Sequence, residues 1–228
     1  RKASVRIPDI TRIKPENRLQ PDPATQTSDY KRYELTESGI SPMAIPGLHP
    51  YGYVATGIEH YENAKPGYSP KLHDSMTRKR FAKLASVHDD SNEYVKYYGD
   101  ENPEVGIIGW GSSEGVIREA VKMANAKGMK VAALHPKIIS PLPYQAIDKF
   151  LSKTKRIIVP EMNYIGQFAN YLTAWHDFRP IRLNKYQGMP FTPDDIYSKI
   201  EEVYGNKDIE HTHSPIYEAP VSPRGGRS

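Results

Sequence analysis

Residues 111–115 spell Gly-Ser-Ser-Glu-Gly, a G-x-S-x-G with Ser113 at its centre and the apolar run Val105–Trp110 before it. On a sharp strand-to-helix turn, a serine so placed can be the nucleophile of an α/β hydrolase, with an acid and then a histidine later in the chain. Asp148 with His176 or His211 supplies that order, although no HGGG-like oxyanion segment is evident. Through Gly109, Gly111 and Gly115 the stretch also reads G-x-G-x-x-x-G, one residue longer than the dinucleotide fingerprint. About twenty residues on, where a ribose-binding acid belongs, stand Leu134-His135-Pro136, which argues against a nicotinamide nucleotide. A tight turn that lets helix and strand pack closely accounts for the same glycines.

Other polar side chains fall where apolar runs end. Ligands in open α/β sheets collect beyond the carboxyl ends of the strands, so His135 is a candidate to face such a crevice. Glu161 and Asn163, in Val-Pro-Glu-Met-Asn, occupy the equivalent place one strand later, where a carboxylate can hold a hydrogen-bond network, cap a helix or meet a neighbouring subunit. Gly111, Ser112, Ser113 and Glu114 would offer helix N-terminal donors to an anion, with the Glu114 charge opposing tight binding. These seven residues are candidates for subunit contact or proximity to a ligand; none is assigned as catalytic, cofactor-binding or metal-ligating. His211 and His213 could share a metal, but two histidines in a polar tail make an incomplete ligand set.

The elements that must position them are legible from Val105 on. Val105–Trp110, Lys130–His135, Arg156–Pro160 and Ile181–Asn184 read as short buried strands. Between them, Val116, Ile117, Ala120, Val121 and Ala124 stripe a helix over 113–127 that Gly128 ends, and Ile147, Phe150 and Leu151 stripe one over 144–152. Ile165, Phe168, Ala169, Leu172 and Trp175 stripe a third. Thr192-Pro193-Asp194-Asp195 starts a last helix with an N-cap, a proline at N1 and two acids on the positive end of the dipole. Strand–helix alternation repeated four times predicts an α/β fold, a mostly parallel sheet with helices on both faces. Upstream, residues 1–72 are rich in Pro and Tyr and read as extended and irregular; 73–104 read as a helix over about 74–87, with Met76, Phe81, Leu84 and Ala85 to one side, and then a polar linker. Residues 206–228 read as a disordered tail.

Composition sets further bounds. The chain has 228 residues, no cysteine and a net charge of +4, so it cannot supply thiolate ligands to zinc or to an iron–sulfur cluster. Its basic excess is too dilute for a nucleic-acid footprint; the one cluster, Arg78-Lys79-Arg80, reads as a solvated helix face. No apolar run approaches the roughly 18 residues of a membrane span. A cytoplasmic protein with neither nucleic-acid nor membrane partners is the expectation, and the start, Arg-Lys-Ala-Ser, reads like the middle of a longer polypeptide.

Four segments in this order, Gly-Trp-Gly-Ser-Ser-Glu-Gly (109–115), His135–Pro143, Val159–Gln167 and Gly188-Met-Pro-Phe191, together with upstream 30–47, 56–60 and 74–84, resemble the C-terminal part of the alpha subunit of 2-oxoacid:ferredoxin oxidoreductases, most closely the 2-oxoglutarate type. The resemblance implies a transketolase C-terminal-like domain over 105–205, preceded by the end of a pyrimidine-binding-domain region over 1–72. It implies a thiamine diphosphate enzyme that decarboxylates a 2-oxoacid, passes electrons through iron–sulfur clusters to ferredoxin and forms an acyl-CoA. It also implies a beta subunit as partner, carrying the diphosphate, Mg2+ and the cluster ligands, so that this chain alone binds no cofactor and contributes architecture. The Tyr-Pro-Ile-Thr-Pro segment of the family is missing, and Met43 stands where relatives often carry Arg. Two other readings stand beside it: the hydrolase built on Ser113, and a non-catalytic transketolase-C-like module that binds a partner.

Overall fold

The computed structural model describes residues 7–23, 29–87, 91–206 and 208. The chain divides into two units, residues 4–90 and the residues from Ser91 onward, and each is taken by itself.

The first unit is short of regular structure because its prolines remove donors and its glycines and tyrosines follow no period. A 3-10 turn at Ile10–Arg12 precedes the one long element among its described residues, α1 (Pro70–Ala85). Ser69 caps α1 by accepting from the Leu72 N–H at 3.2 Å, and Pro70 sits where a missing N–H costs nothing. Leu72 and Met76, four apart on one face, are buried. The expected stripe is corrected at its far end. Phe81 is 68% exposed, since five residues on from Met76 turn it about 140° away. The tyrosines do find partners: Tyr30 packs edge-on against Tyr51 and Tyr53, donates to the Pro42 carbonyl at 3.0 Å and accepts from Ala44 N–H at 2.9 Å.

The second unit is the α/β domain that the alternation predicts. Its strands are β1 (Val95–Gly99), β2 (Val105–Ile108), β3 (Val131–Pro136), β4 (Arg156–Glu161) and β5 (Ile181–Asn184), in the order β1-β3-β2-β4-β5. β3, β2, β4 and β5 run parallel; β1 lies antiparallel on β3, with Val95 opposite Pro136 and Gly99 opposite Ala132. β2, β3 and β4 are buried at every position, as strands covered on both faces must be. β1 is the correction to the linker expected over 88–104. Its Val-Lys-Tyr-Tyr run has no fully buried position, so this edge strand lacks the continuous apolar signal that marks β2, β3 and β4.

One face is covered by α2 (Glu114–Ala126) and α5 (Pro193–Gly205), whose Ile117, Val121, Ile196 and Ile200 pack with Val105, Ile107 and Val131. The other is covered by α3 (Tyr144–Lys153) and α4 (Gln167–Thr173), whose Ile147, Phe150, Phe168 and Leu172 pack with Ile108, Ala132 and Val159. α4 is shorter than its stripe implied, and Ile165 and Trp175 lie beyond its ends, 37% and 57% exposed. α5 begins with a full capping box between Thr192 and Asp195. At its other end the buried Arg156 donates to the Val203 carbonyl at 2.6 Å, a cation at the negative end of the helix dipole. The tail from 209 on, with His211 and His213, lies outside the described residues.

Candidate functional site

β2 sends its chain through α2 on one face to β3, whereas β4 sends its chain through α4 on the other face to β5. Adjacent strands whose connections leave in opposite directions open a crevice at their carboxyl ends, where open α/β sheets hold ligands. A cleft of about 260 Å³ lies there, lined by Trp110, Gly111, Ser112 and Ser113 from the turn after β2 and by Glu161 and Asn163 from the end of β4. Phe191 and Met162 complete it with apolar surface. Five of the seven sequence candidates are thus brought together. Glu114 and His135 do not line it.

The three glycines of the turn do separate jobs. A Cβ on Gly109 would come within 2.1 Å of Ile117 Cδ1, so this position needs the space. Gly111 has open space around it but φ +59°, so it needs the conformation. Gly115 needs neither. Residues Gly111–Ser113 form a 3-10 turn and α2 starts at Glu114, so packing shapes the motif. Ser113 has φ −79° and ψ −9°, unlike the strained corner of a nucleophile elbow. Its hydroxyl donates to the Trp110 carbonyl at 2.7 Å and has no histidine partner among the described residues. His176 and Asp148 do meet, at 2.6 Å, but His176 Nε2 is buried without a partner and reaches no serine. Ser113, Asp148 and His176 are therefore not assembled into a triad; His211, the alternative histidine, lies outside the described residues.

Glu161 caps α4. Only 2% exposed, it accepts from the backbone N–H groups of Phe168 at 2.7 Å and Ala169 at 2.9 Å, and from Asn163 Nδ2 at 2.9 Å. Asn163 Oδ1 in turn accepts from Gly166 N–H at 2.7 Å and Gln167 N–H at 3.1 Å. The Glu161–Asn163 pair therefore satisfies four of the N–H groups at the start of α4. Gly166 makes the turn possible: φ is +66°, and a Cβ there would press within 2.5 Å of Arg182 Nη1. Partial burial lowers the Arg182 pKa while the Glu161 charge opposes that, and the half-buried guanidinium donates to the Gly166 carbonyl at 3.1 Å beside the cap. Of the roles open to Glu161, the network and the cap are what the geometry realises.

Glu114 anchors a second cluster on the β3 side. Tyr98 and Lys96 from β1 and Lys137 from beyond β3 all donate to its carboxylate, Lys96 at 3.0 Å. Burial would raise its pKa, but hydrogen bonds from Lys137, Tyr98 and Lys96 outweigh that and hold it down at about 2. Buried His135 sits with Nε2 3.9 Å from Glu114 Oε2 and neither ring nitrogen hydrogen-bonded. Burial lowers its pKa, only partly opposed by Glu114, so the buried ring disfavours a charge of its own beside the cluster. Lys96, Tyr98 and Lys137 were missed by sequence reading. Two of them lie on β1, where Val, Tyr and Tyr around a lysine were the available strand signal.

Neither cluster suits a diphosphate–metal site. The carboxylates are spent on N–H groups and lysines, and no group of three or more His, Asp or Glu among the described residues is placed to hold a metal.

The fold and this crevice define an α/β domain of one recognisable class: residues 103–188 match the family profile described as pyruvate:ferredoxin oxidoreductase core domain II. The chain is similar to 2-oxoglutarate:ferredoxin oxidoreductase from Magnetococcus marinus, solved with 2-oxoglutarate, coenzyme A and succinyl-CoA bound; identity is 42%, coverage 86% of this chain and 34% of that one, and the TM-score 0.74. It is 32% identical over 182 residues to the alpha subunit of a 2-oxoacid:ferredoxin oxidoreductase of Saccharolobus solfataricus, covering 78% of this chain and 28% of the relative. It is 31% identical over 192 residues to the 2-oxoglutarate oxidoreductase subunit KorA of Mycobacterium tuberculosis, covering 84% and 28%. The resemblance read from the sequence holds: the chain is related over most of its length to alpha subunits of 2-oxoacid:ferredoxin oxidoreductases, and spans about a third or less of their length.

Proposed function

We propose that this chain is the C-terminal part of the alpha subunit of a 2-oxoglutarate:ferredoxin oxidoreductase. The assembled enzyme would convert 2-oxoglutarate, coenzyme A and oxidised ferredoxin to succinyl-CoA, CO2 and reduced ferredoxin. The observation that carries this reading is the 42% identity, sustained over 86% of the chain, to an enzyme of that type. Thiamine diphosphate and Mg2+ belong to the complex, with the iron–sulfur cluster on a beta subunit; the committed carboxylates and the zero cysteine count of this chain fit such a division. Its part is architectural: the Glu161–Asn163 cap and the Gly109–Gly115 turn fix the cleft wall, and Gly111, Ser112, Ser113, Glu114 and His135 lie at or beside a face that meets subunit or cofactor. No helix among the described residues is long and apolar enough to cross a membrane, and a cytoplasmic site of action suits the chemistry.

The experiment is purification from the source with identification of co-purifying subunits and cofactor, followed by viologen reduction. A complex with a cysteine-bearing partner and thiamine diphosphate, reducing viologen with 2-oxoglutarate and coenzyme A, is expected. A chain that never pairs with such a partner when co-expressed would overturn the reading. A complex active on pyruvate alone would overturn the choice of 2-oxoacid.

A further inference from the structure

The first unit holds a cleft of about 370 Å³ beside the flank of α1. Arg32, Lys79, Arg80 and Lys83 reach it, and Glu59 is the one carboxylate among its lining residues. Glu59 is already engaged. Arg80 donates to it at 2.9 and 3.3 Å, and His73 Nδ1 lies 2.8 Å away. That leaves Arg32, Lys79 and Lys83 converging with no carboxylate within ion-pair distance among the described residues.

The fold forces this convergence. Gly39, at φ +71°, lies so close to α1 that a Cβ would meet the Lys79 carbonyl at 2.5 Å, and Lys79 Nζ donates back to the Gly39 carbonyl at 2.7 Å. Burial, then the charges of Lys83 and Arg32, push the Lys79 pKa down, with Glu34 opposing. Arg32 is held by the rings of Tyr33 and Tyr53, 5.1 and 5.6 Å from its guanidinium carbon, and its Nε is buried with no hydrogen-bond partner. Like charges kept together at a cost, with a guanidinium donor unused, describe a site that an anion would complete.

We propose that this cleft binds a phosphoryl-bearing anion through Arg32, Lys79 and Lys83. Three cations match a ligand of two or more negative charges, and a guanidinium fork beside two ammonium groups suits the oxygens of a phosphate. The stacked Tyr33 and His60 rings, 4.9 Å apart, give the cleft an aromatic wall, against which a nucleotide base would gain contact that free phosphate would not. The site is independent of the oxidoreductase reading.

The test uses the protein purified from its source with its co-purifying subunits. Acetylation of lysines is followed by mass spectrometry with pyrophosphate, with ADP and with neither. Protection of Lys79 and Lys83, with exposed Lys71 unchanged, is expected. In the same preparation carrying Lys83→Gln, affinity should fall about tenfold, and Lys83→Arg should restore most of it. ADP bound more tightly than pyrophosphate would make the ligand a nucleotide; equal affinities would make it a free phosphate. Absence of protection by both, or wild-type affinity in a folded Lys83→Gln protein, overturns the proposal.

Discussion

Replacing Glu161 tests whether the crevice wall depends on the carboxylate cap. In Glu161→Ala the buried N–H groups of Phe168 and Ala169 lose their acceptors. Each buried donor left unpaired costs about 1–3 kcal/mol. Loss of a negative charge at the start of α4 adds about 0.5–1 kcal/mol. The half-buried Arg182 loses the charge that offsets its desolvation, although it keeps the Asn170 Oδ1 contact at 2.8 Å. Together these predict a loss of about 3–7 kcal/mol. Glu161→Gln keeps one acceptor oxygen and turns an NH2 toward the other N–H, so about half that loss is expected. Both tryptophans, Trp110 and Trp175, lie in the second unit, and Trp110 packs 5.8 Å from Phe168, so tryptophan fluorescence in a urea titration reports on this unit alone. A Glu161→Ala midpoint corresponding to less than about 1 kcal/mol, or equal losses for Ala and Gln, would refute the reasoning, because orphaned N–H groups would then be finding water.

Other expectations follow from the same geometry. Gly109→Ala should destabilise by about 1–3 kcal/mol through overpacking against Ile117, whereas Gly115→Ala should stabilise by about 0.5–1 kcal/mol as ordinary helix propensity; urea titrations with the same probe read both. The Glu114 pKa lies below its unfolded value of 4.5, so its stabilisation is complete above pH 4.5 and is lost as pH falls toward about 2. Solvent around Lys96 and Lys137 limits it to about 1–2 kcal/mol, and Glu114→Gln should flatten the acid limb of the stability curve over that window. Ser113→Ala should change stability by less than about 1 kcal/mol, since an exposed hydroxyl loses only its contact with Trp110, and the native chain should resist fluorophosphonate; labelling that Ser113→Ala abolishes would revive the hydrolase.

Much of this molecule is local in origin. Val105–Ile108 and Arg156–Glu161 read as buried strands because both of their faces are covered, so hydrophobicity alone carries the signal. Thr192, Pro193 and Asp195 mark a helix start because a capping box spans only four residues. The family likeness, too, was legible, as ordered segments from Tyr30 to Phe191. What the sequence left open was contact between distant residues. Nothing near Glu114 announces that Lys96, eighteen residues earlier, and Lys137, twenty-three later, would close on it; that depends on β1 pairing antiparallel to β3. Whether Glu161 would face a ligand or the N–H groups of α4 turned on the tight left-handed turn at Gly166. Ser113, suggestive in its motif, gains no partner from Asp148 and His176, because that pair forms between α3 and the segment after α4, without reaching the turn. Period and capping act over one to four residues and can be read along the chain; the partner of a charged or polar group is set by strand order and crossover, which exist only once the sheet has formed.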